Sequence, residues 1–264
     1  MVSALLALGT LVACSERDDT LPRRAAELQV YAAASLRDVL LELEPGLEAI
    51  LGADLLINLG SSGDLARQIV AGAPADVFLS ADEREMDRVA VLGLLEASTR
   101  RDFLSNHLVV VEPLEDSADW KSIFTQPFDP GQLAGGRIER LSLANVETVP
   151  AGRYAKAWLE ARGVWSSVAK RVLPAIDVRA ATAAVESGGA QAGIVYRTDA
   201  SRSARVSVVF EVPRSEGPAI VYPAAALRRS ADSARARRML ELLSERSARA
   251  IFERHGFETL PRAR

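Results

Sequence analysis

The sequence predicts an α/β protein built on mainly parallel sheets flanked by helices. Apolar runs of strand length recur along the chain, stretches of helical spacing about ten residues long separate them, and small or capping residues stand where strand gives way to helix. With 264 residues, 48% of them hydrophobic and 25% charged, the chain can fill one large core or two moderate ones.

Residues 28–34 (LQVYAAA) form the first strand, and Ser35 precedes the helical pattern Leu36, Val39, Leu40, Leu43. Pro45 and Gly46 are expected to break or restart this helix, with Leu47, Ile50 and Leu51 continuing its apolar face up to a strand at 54–59. A second strand-to-helix turn follows at Gly60-Ser61-Ser62-Gly63, and Leu65, Ile69 and Val70 mark the next helix. Residues 76–81 read as a third strand, 83–92 as a helix and 107–111 as a buried strand. The stretch 113–136 is looser, with one short helix expected at 120–124. Beyond it, strands are expected at 141–145, 192–197, 206–212 and 219–227. Helices are expected at 150–161, 164–172 and 178–186, and 231–252 supplies one or two more.

Ahead of these elements, residues 1–13 (MVSALLALGTLVA) are too short a run to cross a bilayer as a helix and stop at a polar segment, as an export signal does. Leu11-Val12-Ala13-Cys14 resembles a bacterial lipobox, in which cleavage leaves the cysteine as a lipid-modified N-terminus. The expectation is a signal peptide at 1–13 and a lipid-anchored tether at 14–26. Cys14 is the sole cysteine, which excludes an intramolecular disulfide.

Several function classes fall away on composition. A net charge of -3 leaves none of the basic footprint that binding to nucleic acid requires. The only histidines, His107 and His255, lie in or beside apolar segments, so no Ser-His-acid set can be nominated. Gly60-Ser61-Ser62-Gly63 lacks the Gly-x-Ser-x-Gly spacing of a nucleophile elbow, and neither a Walker A lysine nor Gly-x-Gly-x-x-Gly occurs. No His/Cys cluster offers ligands to a metal. The expectation is a protein that is not an enzyme and carries no cofactor.

What remains is a set of helix starts. The first N–H groups of a helix have no partner within it and sit at the positive end of its dipole, so they bind an oxyanion without any cationic side chain. Ser35 and Ser62 stand at two such starts, where a serine can equally be a plain N-cap. Pro150-Ala151-Gly152 opens a third helix with a residue too small to block approach to its amide, and Asp177-Val178 opens a fourth.

Several motifs now carry a resemblance. Ala32-Ala33-Ala34-Ser35-Leu36, Gly60-Ser61-Ser62-Gly63 with Leu65-Ala66-Arg67-Gln68-Ile69, and Gly72-Ala73-Pro74-Ala75-Asp76-Val77-Phe78 resemble the periplasmic molybdate-binding proteins of ABC transporters. So do Val149-Pro150-Ala151-Gly152-Arg153-Tyr154-Ala155, Asp177-Val178-Arg179, Gly193-Ile194-Val195-Tyr196 with Asp199, Tyr222-Pro223 and Gly256-Phe257, in order over almost the whole mature chain.

The resemblance implies a two-domain periplasmic-binding-protein fold of type II. One domain would comprise 27–106 plus 216–264 and the other 107–215, with the ligand cleft between them. It also implies that molybdate, or tungstate of like charge and nearly like size, is held by the hydroxyls and amides of Ser35 and Ser62, the amides of Ala151 and Val178, and the hydroxyl of Tyr196. The metal would reach the protein only as its oxyanion, with no direct protein ligand. The implied partners are the oxyanion, an ABC permease and a membrane reached through the lipid anchor, for a monomer in the periplasm or at the cell exterior. A binding protein of the same fold for another oxyanion such as sulfate, or an export-linked sensor uncoupled from transport, stays open. Three departures stand out: Val146 where the family commonly has proline, which predicts a less rigid loop before Ala151; Arg37, which predicts added positive charge near the cleft; and the interruption by Pro45-Gly46.

Overall fold

The computed structural model describes residues 26–114 and 121–261. The expected signal peptide, Cys14 and residue 120 lie outside the described residues. In chain order the elements are β1 (Ala26–Ala33), a 3-10 turn (Ala34–Leu36), α1 (Arg37–Leu51), β2 (Ala53–Gly60), α2 (Ser62–Val70), β3 (Val77–Leu79), α3 (Glu83–Ala90) and β4 (Arg101–Ser105). There follow β5 (Leu108–Pro113), β6 (Leu141–Ala144), α4 (Pro150–Ala161), α5 (Trp165–Val168), β7 (Val172–Ala175), α6 (Val178–Glu186), β8 (Ala192–Tyr196), α7 (Arg197–Ala200) and β9 (Val206–Glu211). Last come β10 (Val221–Ala226), α8 (Ser233–Leu243), α9 (Arg246–Arg254) and β11 (Glu258–Thr259).

The strands form two sheets, one of six strands in the order β11-β4-β10-β3-β1-β2 and one of five in the order β7-β6-β8-β5-β9. The chain leaves the first sheet after β4, enters the second at β5 through Asn106 and His107 alone, and returns between β9 and β10. Helices flank both sheets as predicted, but the sheets are mixed rather than mainly parallel. β1 pairs in parallel with β2 and β3, and β6 with β7 and β8. Every antiparallel pairing among the described strands involves β4, β5 or β10, the strands next to the two crossings. A strand entered straight from the other sheet has no crossover helix to turn it parallel.

In the six-stranded sheet the apolar runs are continuous because both faces are covered. Val30 and Ala32 on β1, Val77 and Leu79 on β3, and Ala224 and Ala226 on β10 join the large core with Val39, Leu40 and Leu43 of α1 and Met239 of α8. The residues between them, Tyr31, Phe78 and Ala225, face the other way and pack with Leu65 and Ile69 of α2 and Met86 and Val89 of α3. This alternation is the strand period of two.

α1 runs unbroken through Pro45, contrary to the break expected there. Proline removes the N–H that would bond the Leu41 carbonyl. Leu41 and Pro45 lie on the exposed face, where that carbonyl is open to solvent, while Val39, Leu40, Leu43, Leu47 and Leu51 bury the opposite face. The helix stops at Gly52, whose positive φ of 60° closes a left-handed cap with its N–H on the Glu48 carbonyl.

Three strands were not legible in the sequence. β4 begins on Arg101-Asp102 and is defined by pairing with β10 and β11. β7 contains Pro174, which an edge strand accommodates, and replaces the end of the helix expected at 164–172, of which only α5 and a 3-10 turn form. β11 is two residues long. No helix forms over 121–124, the described part of the one expected near residue 120.

Candidate functional site

Strand register decides where the candidate residues meet. On the six-stranded sheet Ala33 pairs with Gly60, so β1 and β2 end side by side and deliver Ser35 and Ser62 to one edge. On the five-stranded sheet Ala144 pairs with Ala175, and Leu143 with Ile194. The chain therefore emerges from β6, β7 and β8 at a common edge, towards Ala151, Val178 and Tyr196. Carboxyl ends of parallel strands are where an α/β fold leaves a crevice lined by helix starts.

The two edges face each other. Ser35, Ser62, Ala151, Val178 and Tyr196 all line one small cavity, and all five are buried. No lysine or arginine among the described residues lines it. Among the described residues Asp177 is the one charged residue in the lining itself, and its carboxylate caps α6 by accepting the Ala180 N–H at 2.8 Å.

Neither serine is a plain cap. Ser61 caps α2, its Oγ accepting the Asp64 N–H, so the following Ser62 is free of that duty. Ser62 Oγ instead accepts the Ala81 N–H at 2.9 Å, which leaves its hydroxyl proton to give. Ser35 lies in the 3-10 turn before α1 and makes no cap bond. Its Oγ is 3.1 Å from Tyr222 Oη, which accepts an N–H of Asn106 at 3.2 Å. Either hydroxyl can donate in this contact; when the phenol donates to Ser35, the serine proton is left for the cavity. Tyr196 Oη is buried and has no hydrogen-bond partner among the described residues. Burial above all pushes the phenols of Tyr196 and Tyr222 well above the ordinary tyrosine range, so both are donors at neutral pH.

The helix starts complete the set. The first-turn amides of α2, α4 and α6 have no intrahelical acceptor. Pro150 occupies the first position of α4, so Ala151 carries the first free N–H of that helix. Gly152 lets α4 seat against the end of β6, since a β-carbon there would meet the Ala144 carbonyl oxygen at 2.1 Å. A tetrahedral oxyanion entering this cavity meets hydroxyl and amide donors from both sheets.

Arg37 does not add charge to this cavity; it is exposed and outside the lining. The loop at Val146 is held without proline: Asn145 Oδ1 accepts the N–H groups of Glu147 and Thr148 at 2.9 and 3.2 Å.

Sequence reasoning missed the ring of charge around the cavity. Arg153 on α4 pairs with Asp82 and with Glu85 Oε1 at 3.2 Å, joining the five-stranded half to α3 of the other half. Arg179 on α6 reaches Asp38 on α1 at 2.8 Å. Behind it lies Asp199, buried, with neither carboxylate oxygen hydrogen-bonded among the described residues and Arg179 Nη1 at 3.6 Å from Oδ1. Burial, opposed by Arg179, pushes the Asp199 carboxyl up to about 7. Asn106, too, carried no signal in the sequence, because its role depends on Tyr222 116 positions later.

A family description, bacterial extracellular solute-binding protein, matches residues 28–258. The chain belongs to that family. Among the relatives of this solute-binding protein is the molybdate-binding protein ModA of Escherichia coli, 36% identical over 240 residues, covering 88% of each chain. Another, assigned as an ABC transporter substrate-binding lipoprotein in Bacillus subtilis, is 31% identical over 97% of this chain and 96% of its own. The solved periplasmic molybdate-binding protein of Azotobacter vinelandii superposes with a TM-score of 0.76 at 26% identity, covering 89% of this chain and 99% of that one. The sulfate-binding protein SubI of Mycobacterium tuberculosis, at 16% identity and a TM-score of 0.73, shares the fold. These relatives are binding proteins for molybdate, for sulfate or for the substrate of an ABC transporter.

Proposed function

We propose that this solute-binding protein captures molybdate outside the cytoplasm and presents it to the permease of an ABC importer, with tungstate as a second ligand of the same site. The observation that carries the reading is the convergence of Ser35, Ser62, Ala151, Val178 and Tyr196, from both sheets, on one small cavity without a cationic side chain. In this reading a dianion held by donors from the two halves draws them together, and the permease recognises the closed form. The lobes correspond to 27–106 plus 216–264 and to 107–215, and the protein acts as a monomer.

Donor-only chemistry sets the selectivity. A fully deprotonated tetrahedral dianion accepts every hydrogen bond offered, whereas hydrogen phosphate brings a proton for which the donors provide no acceptor. Sulfate is rejected by size, because the smaller ion cannot reach donors on both halves at once. Melting scans test this. At a free concentration 100 times Kd a ligand contributes about 2.7 kcal/mol, a shift on the order of 5–10 °C for a chain of this size. Molybdate and tungstate are expected to produce it, and sulfate and phosphate at equal concentration are not. A larger shift with sulfate reassigns the ligand, and no shift with any of the four removes the oxyanion function.

Cys14 is proposed as the lipid-modified N-terminus of the mature protein, consistent with the lipobox resemblance and supported by the lipoprotein assignment of the Bacillus subtilis relative. Mass spectrometry of the native protein decides it: an unmodified Cys14 still preceded by residues 1–13 defeats the proposal.

A further inference from the structure

We infer that Gly63 is the residue that lets the two halves close on the ligand, because any side chain there holds apart the seam beside the cavity. The inference rests on the proposed oxyanion site and deepens it. Gly63 is on α2, in the six-stranded half, next to Ser62; Thr148 is in the loop between β6 and α4, in the other half, close before Ala151. A β-carbon on residue 63 would lie 2.2 Å from the Thr148 carbonyl oxygen and 3.2 Å from its carbonyl carbon. Real carbon–oxygen contacts do not approach 2.2 Å, so something must shift.

The obstacle is backbone, so no rotamer change relieves it. Nor can the loop retreat easily. Asn145 Oδ1 holds the amides of Glu147 and Thr148, and the Val149 N–H bonds the Asn145 carbonyl at 2.9 Å. Relief comes instead by separating the halves, which draws Ser62 away from Ala151 and breaks up a donor set that a bound oxyanion must satisfy all at once.

Nothing in the conformation of residue 63 itself asks for glycine. It is helical and absent from the glycines of positive φ, and within a helix alanine is the better residue. Steric access across the seam is the property that glycine supplies here. The clasp from Arg153 to Asp82 and Glu85 belongs to the same seam and can form only when α4 has come down onto α2 and α3.

The test compares Gly63→Ala with Gly46→Ala. Gly46 is also helical, on α1, but a β-carbon there meets nothing within 4 Å. Calorimetry with sodium molybdate is expected to show affinity at least tenfold weaker for Gly63→Ala and unchanged for Gly46→Ala. The ligand-free melting temperature should be equal to or above wild type in both, since alanine suits either helix once the seam is open. In saturating molybdate, small-angle scattering should give Gly63→Ala the larger radius of gyration. Wild-type affinity in Gly63→Ala overturns the inference. So does a fall in its ligand-free melting temperature, which would make the contact part of the resting fold rather than of closure. A wild-type protein that ignores molybdate defeats the reading of the cavity, and the inference that rests on it falls with it.

Discussion

Tyr222 Oη lies 3.1 Å from Ser35 Oγ across 187 positions of sequence, and this contact ties a cavity-lining serine to a buried tyrosine outside the lining. Asn106 Nδ2 also donates to the phenol oxygen, and with the phenol donating in turn to Ser35 the serine proton faces the cavity. A hydroxyl with its acceptor side occupied is a committed donor, which is what an oxyanion needs.

Tyr222→Phe is therefore expected to weaken molybdate binding by about 1 kcal/mol, the net worth of an ordinary hydrogen bond, although Tyr222 does not line the cavity. In a double-mutant cycle with Ser35→Ala the two losses should not add, since both remove one donor. Additive losses measured by calorimetry would sever the link.

Tyr196→Phe and Ser62→Ala should both weaken binding, by about 1–3 kcal/mol each, yet part company in the ligand-free protein. Tyr196 Oη is a buried hydroxyl with no partner among the described residues, so its removal should leave the melting temperature unchanged or higher. Ser62→Ala strands the Ala81 amide, buried at the end of the Ser62 bond, and should lower it. Thermal melts of the two variants without ligand check the contrast. Equal behaviour would mean that the hydroxyl environments have been misread.

Asp199 makes stability depend on pH in a defined window. Its folded carboxyl titrates at about 7, raised chiefly by burial, against about 3.9 in an unfolded chain. The folded state therefore holds a proton that the unfolded state has lost between these values. Stability from this group falls as pH rises from about 4 to about 7 and is flat beyond. Asp199→Asn removes that dependence, so stability relative to wild type should improve progressively across the window, by an amount on the order of a few kcal/mol. Urea unfolding of both proteins at several pH values measures the difference. A constant gap from pH 4 to pH 8 would mean that Asp199 is ionised throughout.

The family, the order of most elements and the helix starts were written in local sequence. Each rests on interactions within a few residues: the 3.6-residue period of α4 and α6, Pro150 at a first helical position, and Asp177 capping α6. Pro45 misled because its local cost is real, and only the burial of the opposite face of α1 outweighs it. β4 and β7 were hidden for the related reason that their partners, not their own residues, make them strands.

Tertiary structure alone decided where the candidate residues meet and what they touch. Register brought five residues from two sheets to one cavity, and it separated Ser61, which caps α2, from Ser62, whose Oγ accepts the Ala81 N–H. It also paired Ser35 with Tyr222, Arg153 with Asp82, and Gly63 with Thr148. Local sequence sets which backbone groups lack partners, because helix and strand hydrogen bonds are short-range. Which distant atom meets those groups depends on how the sheets close on each other, and that is fixed by packing over the whole chain.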